Sequence, residues 1–186
     1  MATEALSQAF TSSRQVLASV TTEQLHGGTP CRSWDVAALI NHMVGAPRTA
    51  VGALTTTPAD DADDDFAAGD FMARYDETAA AALAAFGAPG ALEKTVVLPF
   101  GELPASLFMM IIASDQYTHG WDLARATGQS TDLDPVLGAQ FLTMAQGVIV
   151  DDFRGEDGQK PFGPEQEAPT GASAADRLAA FLGRSV

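Results

Sequence analysis

Three polar side chains with metal-binding chemistry recur along one predicted helix. Asp115, His119 and Asp122 follow one another at intervals of four and three residues. At about 100° per residue they lie within roughly 60° of one another on the helical wheel, in a stripe that is otherwise apolar. Burying a charged carboxylate without a partner is unfavourable. This face is therefore expected to meet a cation, a hydrogen-bonding partner or a water-filled cleft.

A metal site is the most specific of these expectations. Asp115 and His119 can reach one ion from adjacent turns of a helix, and His42 is the natural third ligand because it is the only other histidine within a predicted helix. Two imidazoles and a carboxylate suit Zn, Ni, Fe or Mn, with water completing an open site. Spacing alone leaves two alternatives open, a hydrogen-bonded core histidine and a salt bridge from Asp122 to Arg125.

The elements that must position these residues are predicted to be helices. The chain is rich in alanine, has few β-branched runs and places its apolar residues three and four apart. Capping residues and this spacing predict helices over residues 3–20, from 33 onward, and over 70–86, 104–128, 135–150 and 173–183. Residues 95–98 are the one predicted strand, and residues 151–169 are expected to be irregular and to pack over the helices or line a cleft.

Two features are notable in and after the second half of the second predicted helix. Pro47 removes a backbone hydrogen bond, so it is expected to kink this helix near Met43 or to break it at Ala46. The acidic run over residues 60–65 that follows is predicted to be an exposed loop, and it lacks the glycine and terminal glutamate of a calcium-binding EF loop.

Length and charge bound the function. The chain of 186 residues fits one domain, residues 1–186, with 46% hydrophobic residues to form its core. A net charge of −14 disfavours nucleic acids and anionic membranes as partners. The sequence has no run of about 18 apolar residues and no signal-peptide pattern, so a cytoplasmic location is predicted.

Other catalytic arrangements are poorly represented. Cys31 is the only cysteine, which excludes an internal disulfide and a multi-cysteine zinc cluster. It is expected to be a small buried residue, with a reactive thiol as the alternative. The sequence has no phosphate-binding glycine loop, nucleophile elbow or dinucleotide fingerprint, and nothing local brings Cys31 to a histidine base.

Three motifs carry a resemblance to a known family. They are PCRSWDVAALINH at residues 30–42, DQYTHGWDLARATG at residues 115–128 and RLAAFLGR at residues 177–184. Together they resemble the DinB-like metal-binding helical bundles, and in particular the branch similar to the N-terminal domain of mycothiol-dependent maleylpyruvate isomerase.

The resemblance implies both a fold and a site. The fold is an all-α four-helix bundle with a long crossover connection, here with short extra helices. The implied ligands of a divalent transition metal, zinc or nickel foremost, are His42, Asp115 and His119. Asp122 is implied to orient one of these ligands without binding the metal itself. The implied chemistry is activation of mycothiol or another low-molecular-weight thiol, followed by transfer to, or rearrangement of, a small electrophile.

Two departures limit how far the isomerase reaction carries over. The isomerase branch typically has glutamate where this chain has Asp115, and it also has a separate C-terminal domain that helps to form its substrate site. Metal binding is therefore expected more strongly than maleylpyruvate isomerisation. The alternatives are a noncatalytic bundle that stores, senses or retains a metal, with a homodimer as one form of it, and a bundle without a metal.

Overall fold

The computed structural model of the chain describes residues 3–55, 65–99, 101–156 and 158–186. Within these ranges the chain is mostly helical, with six α-helices, three single-turn 3₁₀ helices and one two-stranded sheet. In chain order the helices and strands are α1 (Glu4–Leu17), α2 (Val36–Thr55), α3 (Phe71–Gly87), β1 (Thr95–Leu98), β2 (Gly101–Pro104), α4 (Ala105–Thr127), α5 (Pro135–Val148) and α6 (Ala174–Phe181). None of the described helices is long and apolar enough to cross a membrane. Of the acidic run at residues 60–65, only Asp65 lies within the described ranges.

The predicted capping residues begin and end several helices. The Asp70 side chain accepts a hydrogen bond from the backbone of Ala73 at the start of α3, and Gly128 ends α4 with a φ of 72°. The start of α2 differs from the prediction. Asp35 rather than Ser33 caps this helix, because its carboxylate accepts the backbone N–H of Ala38 at 2.8 Å.

The predicted break at Ala46 is wrong, because α2 continues through Pro47 to Thr55. Proline cannot donate the hydrogen bond that the carbonyl of Met43 would accept within the helix. That carbonyl instead accepts a hydrogen bond from Nε2 of Gln116 in α4, at 3.2 Å. The buried Gln116 amide thus replaces the missing backbone donor and ties α2 to α4.

The predicted strand is confirmed as β1, but its partner β2 was not predicted. The two strands are antiparallel, with Thr95 opposite Pro104 and Leu98 opposite Gly101. Gly101 has a φ of 134°, a conformation that side chains rarely adopt. The fold is therefore helical with one hairpin rather than strictly all-α, and the hairpin leads directly into the first residue of α4.

Helix α4 lies within a ring of other elements. It packs against α1, α2, α5 and α6, and most of its second half is buried. Its buried Trp121 donates a hydrogen bond of 2.8 Å to Asp176 in α6. Gly120 allows α1 to approach closely, because a Cβ at this position would lie 2.5 Å from Oγ and 3.2 Å from Cα of Ser13. The polar residues of α4 are consequently held inside the helix packing.

We expect Gly120→Ala to lower the free energy of unfolding by about 1–3 kcal/mol, because the added methyl group overpacks the contact with Ser13. Gly147→Ala is the matched control, since Gly147 also lies in a helix but a Cβ there would meet nothing within 4 Å. It should be neutral or stabilising by up to about 1 kcal/mol through helix propensity. Denaturant unfolding of both variants measures the difference, and equal stabilities would contradict the close packing of α1 on α4.

Candidate metal centre

The structure brings His42, Asp115 and His119 together at the contact between α2 and α4. Nε2 of His42 lies 3.1 and 3.3 Å from the two carboxylate oxygens of Asp115. Nε2 of His119 lies 3.4 Å from Oδ1 of the same carboxylate. One potential ligand atom from each residue lies within 4.8 Å of the other two. Two imidazole nitrogens and a carboxylate are a donor set that suits a divalent transition metal.

Asp122 holds the other side of the His119 ring. Its Oδ2 lies 3.0 Å from Nδ1 of His119, and both of its oxygens face the Arg184 guanidinium at 3.1 and 2.9 Å. Burial alone would raise the pKa of Asp122, but the charge of Arg184 and the hydrogen bond from His119 lower it below its ordinary value. Asp122 is therefore an anionic acceptor that fixes Nδ1 as a donor, so that Nε2 of His119 faces Asp115.

Asp122 is paired with Arg184 and not with Arg125, the alternative partner that spacing suggests. Among the described residues its charged partners are His119 and Arg184, whereas Arg125 is exposed at the end of α4. The alternative of a salt bridge from Asp122 to Arg125 is therefore wrong. A partner three residues away is suggested by spacing, but the buried carboxylate is paired with an arginine 62 positions further along the chain.

The electrostatics of the cluster favour cations. Burial opposes a positive charge on His119, yet the charge of Asp115 and the hydrogen bonds that His119 donates to both flanking carboxylates raise its pKa well above the ordinary value. Burial would raise the pKa of Asp115, but His119 and His42 lower it far below its usual range. The raised pKa of His119 favours a proton that a metal ion at Nε2 would have to displace, so metal affinity should increase with pH.

An aromatic side chain covers part of this cluster. The Trp34 ring lies 4.8 Å from the His42 ring and 5.5 Å from the His119 ring, measured between centroids. The side chains of His42 and Asp115 are 31% and 25% exposed, whereas that of His119 is 10% exposed. A small molecule can therefore approach from the side of His42 and Asp115, while His119 lies at the closed end.

A second group of potential ligands shares His119 but fits a cation poorly. Ligand atoms of Cys31, His119 and Asp122 also lie within 4.8 Å of one another. Nη2 of Arg184, however, lies 3.5 Å from Sγ of Cys31 and 2.9 Å from Asp122. Because a guanidinium already neutralises this carboxylate, a metal ion is disfavoured there. Of the two groups, the one with His42 and Asp115 is the better candidate centre.

Three neighbours of the centre were not assigned to it from the sequence. Cys31 is half-buried beside Asp122, Trp34 covers the histidines, and Arg184 pairs with Asp122. The third histidine, His26, is exposed and is not part of either ligand group. Trp34 and Cys31 lie within the first of the three sequence motifs and Arg184 ends the last. The presence of these motifs together in one chain was the feature of the sequence that could have indicated that Cys31, Trp34 and Arg184 lie near the centre.

The Asp122–Arg184 pair should make stability depend on pH in acid. Because the pKa of Asp122 is lower in the folded state, the pair stabilises the fold above the unfolded pKa near 4, and this stabilisation is lost as the pH falls toward the folded value. We expect Asp122→Asn to destabilise the metal-free protein by about 3–5 kcal/mol at pH 7, since Arg184 is left without its counter-charge. Below pH 4 this difference should shrink by about 1.4 kcal/mol per pH unit. Denaturant unfolding at several pH values tests this, and a difference that stays constant down to pH 2 would contradict it.

Comparisons with known proteins agree with the sequence motifs. Residues 6–124 match the family described as the mycothiol maleylpyruvate isomerase N-terminal domain. Two proteins of Mycobacterium tuberculosis, from strains CDC 1551 and H37Rv, are each 42% identical over 172 residues, which is 92% of this chain and 91% of the relative. Both are named only as uncharacterized proteins. No solved structure matches the chain significantly. The predicted resemblance is thus confirmed, and the chain belongs to the DinB-like family of mycothiol maleylpyruvate isomerase N-terminal domains.

Proposed function

We propose that this chain binds one divalent transition metal, zinc or nickel foremost, through His42, Asp115 and His119. The observation that carries the proposal is the convergence of two imidazoles from α2 and α4 on one carboxylate. The hydrogen bond from His119 to Asp122 supports it further, because metal-bound histidines commonly donate their second ring nitrogen to a carboxylate. The proposed location is the cytoplasm.

The charge balance of the centre indicates the kind of substrate. Asp115 and Asp122 each contribute one negative charge and Arg184 one positive charge, which leaves one negative charge when the histidines are neutral. A divalent ion would change this sum to one positive charge. A single anionic ligand, such as a thiolate, would then make the centre neutral. The charges therefore favour a singly charged anion, of which a thiolate is one, over a dianionic ligand.

We propose that the reaction is the transfer of a low-molecular-weight thiol of the mycothiol type to a small electrophile. A bound divalent ion lowers the pKa of a thiol or water at its open position and so supplies a nucleophile at neutral pH. The thiol proton is released to solvent, and the sulfur forms a bond to a carbon of the electrophile. That carbon either loses a leaving group such as chloride, or its double bond opens and the neighbouring carbon takes up a proton from solvent. Asp122 orients His119, while the exposed side at His42 and Asp115 admits the substrate. The family description, which names mycothiol, supports this choice of thiol.

The proposal includes the finer architecture. In it, α1 to α4 form the four-helix bundle of DinB-like proteins, and residues 1–186 form one domain. The packing of α1 on α4, of α2 on α3 and of α2 on α4 supports this arrangement. The proposed partners are a thiol and an electrophile, without nucleic acid or membrane, and a homodimer is compatible with the proposal.

A noncatalytic metal protein is the second candidate function. The observation that favours it is the contact of the tilted Trp34 ring with both histidine rings, which covers one side of the centre. Such a protein would bind the metal equally well but would not accelerate thiol transfer. Metal binding and thiol transfer must therefore be measured separately.

Metal analysis tests the binding. Untagged protein reconstituted with zinc or nickel should hold about one equivalent after removal of free metal, and His42→Ala should lose most of it because one ligand is missing. His26→Ala is the matched control, since His26 is exposed and outside the ligand groups. Less than about a tenth of an equivalent in the wild type after reconstitution would contradict the proposed centre.

Thiol consumption tests the catalysis. Metal-loaded wild type should accelerate the reaction of mycothiol with an electrophile such as monochlorobimane, because the ion increases the fraction of reactive thiolate. His26→Ala should match the wild type, and His42→Ala should fall to the uncatalysed rate. Equal rates for the wild type and His42→Ala would reject metal-dependent transfer, and full metal occupancy without any acceleration would favour the noncatalytic candidate.

A further inference from the structure

We propose that Arg184, in the segment that follows α6, is a positioning residue of the metal centre. This inference rests on the proposed function, because it assigns to Arg184 the task of orienting the ligand His119. Arg184 lies outside residues 6–124, the part of the chain that matches the family. The C-terminal segment thus completes a site whose ligands all lie within the matched region.

Arg184 holds the Asp122 carboxylate at two points. Nε of Arg184 lies 3.1 Å from Oδ1 of Asp122, and Nη2 lies 2.9 Å from Oδ2. A guanidinium that binds both oxygens of a carboxylate fixes its plane, which an ammonium group cannot do. Oδ2 also accepts the hydrogen bond from Nδ1 of His119. The orientation of the carboxylate therefore sets the orientation of the imidazole, and with it the direction of Nε2.

The backbone aims Arg184 at α4. Gly183 has a φ of 95°, and a Cβ at this position would lie 2.5 Å from Cα of Gly163. The two glycines therefore allow the segment that follows α6 to pack closely against the chain around Gly163. The N–H of Arg184 donates to the carbonyl of Ala179 at 2.9 Å, and Nη1 donates to the carbonyl of Leu182 at 3.2 Å. The side chain of Arg184 is only 11% exposed, and both its backbone and its guanidinium are hydrogen-bonded to the end of α6 and the residues that follow it.

The same guanidinium reaches the segment that precedes α2. Nη2 of Arg184 lies 3.5 Å from Sγ of Cys31, which is three residues before Trp34, and the Trp34 ring contacts that of His42. Arg184 is thus linked to His119 through Asp122, and to His42 through Cys31 and the nearby Trp34.

A purely structural role for Arg184 makes a different prediction. If Arg184 only attached the C-terminal segment, its loss would lower stability and would leave the metal affinity unchanged. Arg154 is the matched control for that role, because its Nη1 donates to the carbonyls of Gly163 and Phe181 without contacting the centre. Both arginines attach α6 and its surroundings, but only Arg184 contacts Asp122.

Zinc affinity measured by competition with a chelator tests the proposal. We expect Arg184→Met to bind zinc roughly 10- to 100-fold more weakly than the wild type, as is typical for loss of a group that orients a ligand. Arg154→Met should bind as tightly as the wild type. In an Asp122→Asn background the Arg184→Met effect should vanish, because both residues act through the same hydrogen bond. Equal affinities for the wild type and Arg184→Met, or equal losses in both backgrounds, would overturn the proposal.

Arg184→Lys covers the case in which Arg184→Met does not fold. It keeps the positive charge but cannot hold both carboxylate oxygens, so its zinc affinity should lie below that of the wild type. An affinity equal to the wild type would overturn the positioning role.

A metal-free measurement separates this proposal from the proposed function. In protein with ¹⁵N-labelled histidine, the Nδ1–H of His119 should give a signal protected from exchange with water, and Arg184→Lys should weaken that protection. If this holds while the wild type binds no zinc, the metal function fails but the orientation of His119 by Arg184 stands. Unchanged protection in the variant would overturn the positioning role whatever the metal content.

Discussion

His119 lies between two carboxylates inside the helix packing, with Asp115 at Nε2 and Asp122 at Nδ1. Two anions so close together in a poorly solvated region are unfavourable unless each is compensated. Asp122 has its compensation within the fold, in the guanidinium of Arg184. Among the described residues, Asp115 faces the imidazoles of His42 and His119 rather than an arginine or lysine, and these imidazoles lower its pKa. The site is therefore asymmetric. Asp122 is neutralised by an arginine of the fold, whereas the negative charge of Asp115 is available to a metal cation.

The register between α2 and α4 depends on a neighbour of this cluster. Gln116 donates to the carbonyl of Met43, which Pro47 leaves without a helical partner, and its Nε2 also lies 3.5 Å from Oδ2 of Asp115. Tyr75 donates to the other end of the same amide at 3.0 Å. Pro47, which was expected to kink or break α2, therefore leaves free an acceptor, the carbonyl of Met43, that fixes this helix against α4. Since Met43 follows His42 directly, the same hydrogen bond helps to set where His42 meets Asp115.

Some of this arrangement follows from the sequence, and the reasons differ from residue to residue. Periodicity and caps predict α4 and therefore place Asp115, His119 and Asp122 on one face, because these signals are local. His42 lies in a different helix, so the residues alone made it a candidate by elimination, and the family resemblance then supported its approach to Asp115. The pairing of Arg184 with Asp122 could not be predicted, since it depends on how the C-terminal segment turns back over α4. The strand β2 was missed because its few residues carry no alternating pattern.

The central claim is that one ion binds between α2 and α4, and anomalous diffraction from zinc-loaded crystals tests it most directly. The account predicts a single strong anomalous peak at the zinc edge, within bonding distance of Nε2 of His42, Nε2 of His119 and the carboxylate of Asp115, with Asp122 still bound to Arg184. A peak bounded instead by Cys31 and Asp122 with Arg184 displaced, or no peak among these residues, would contradict it.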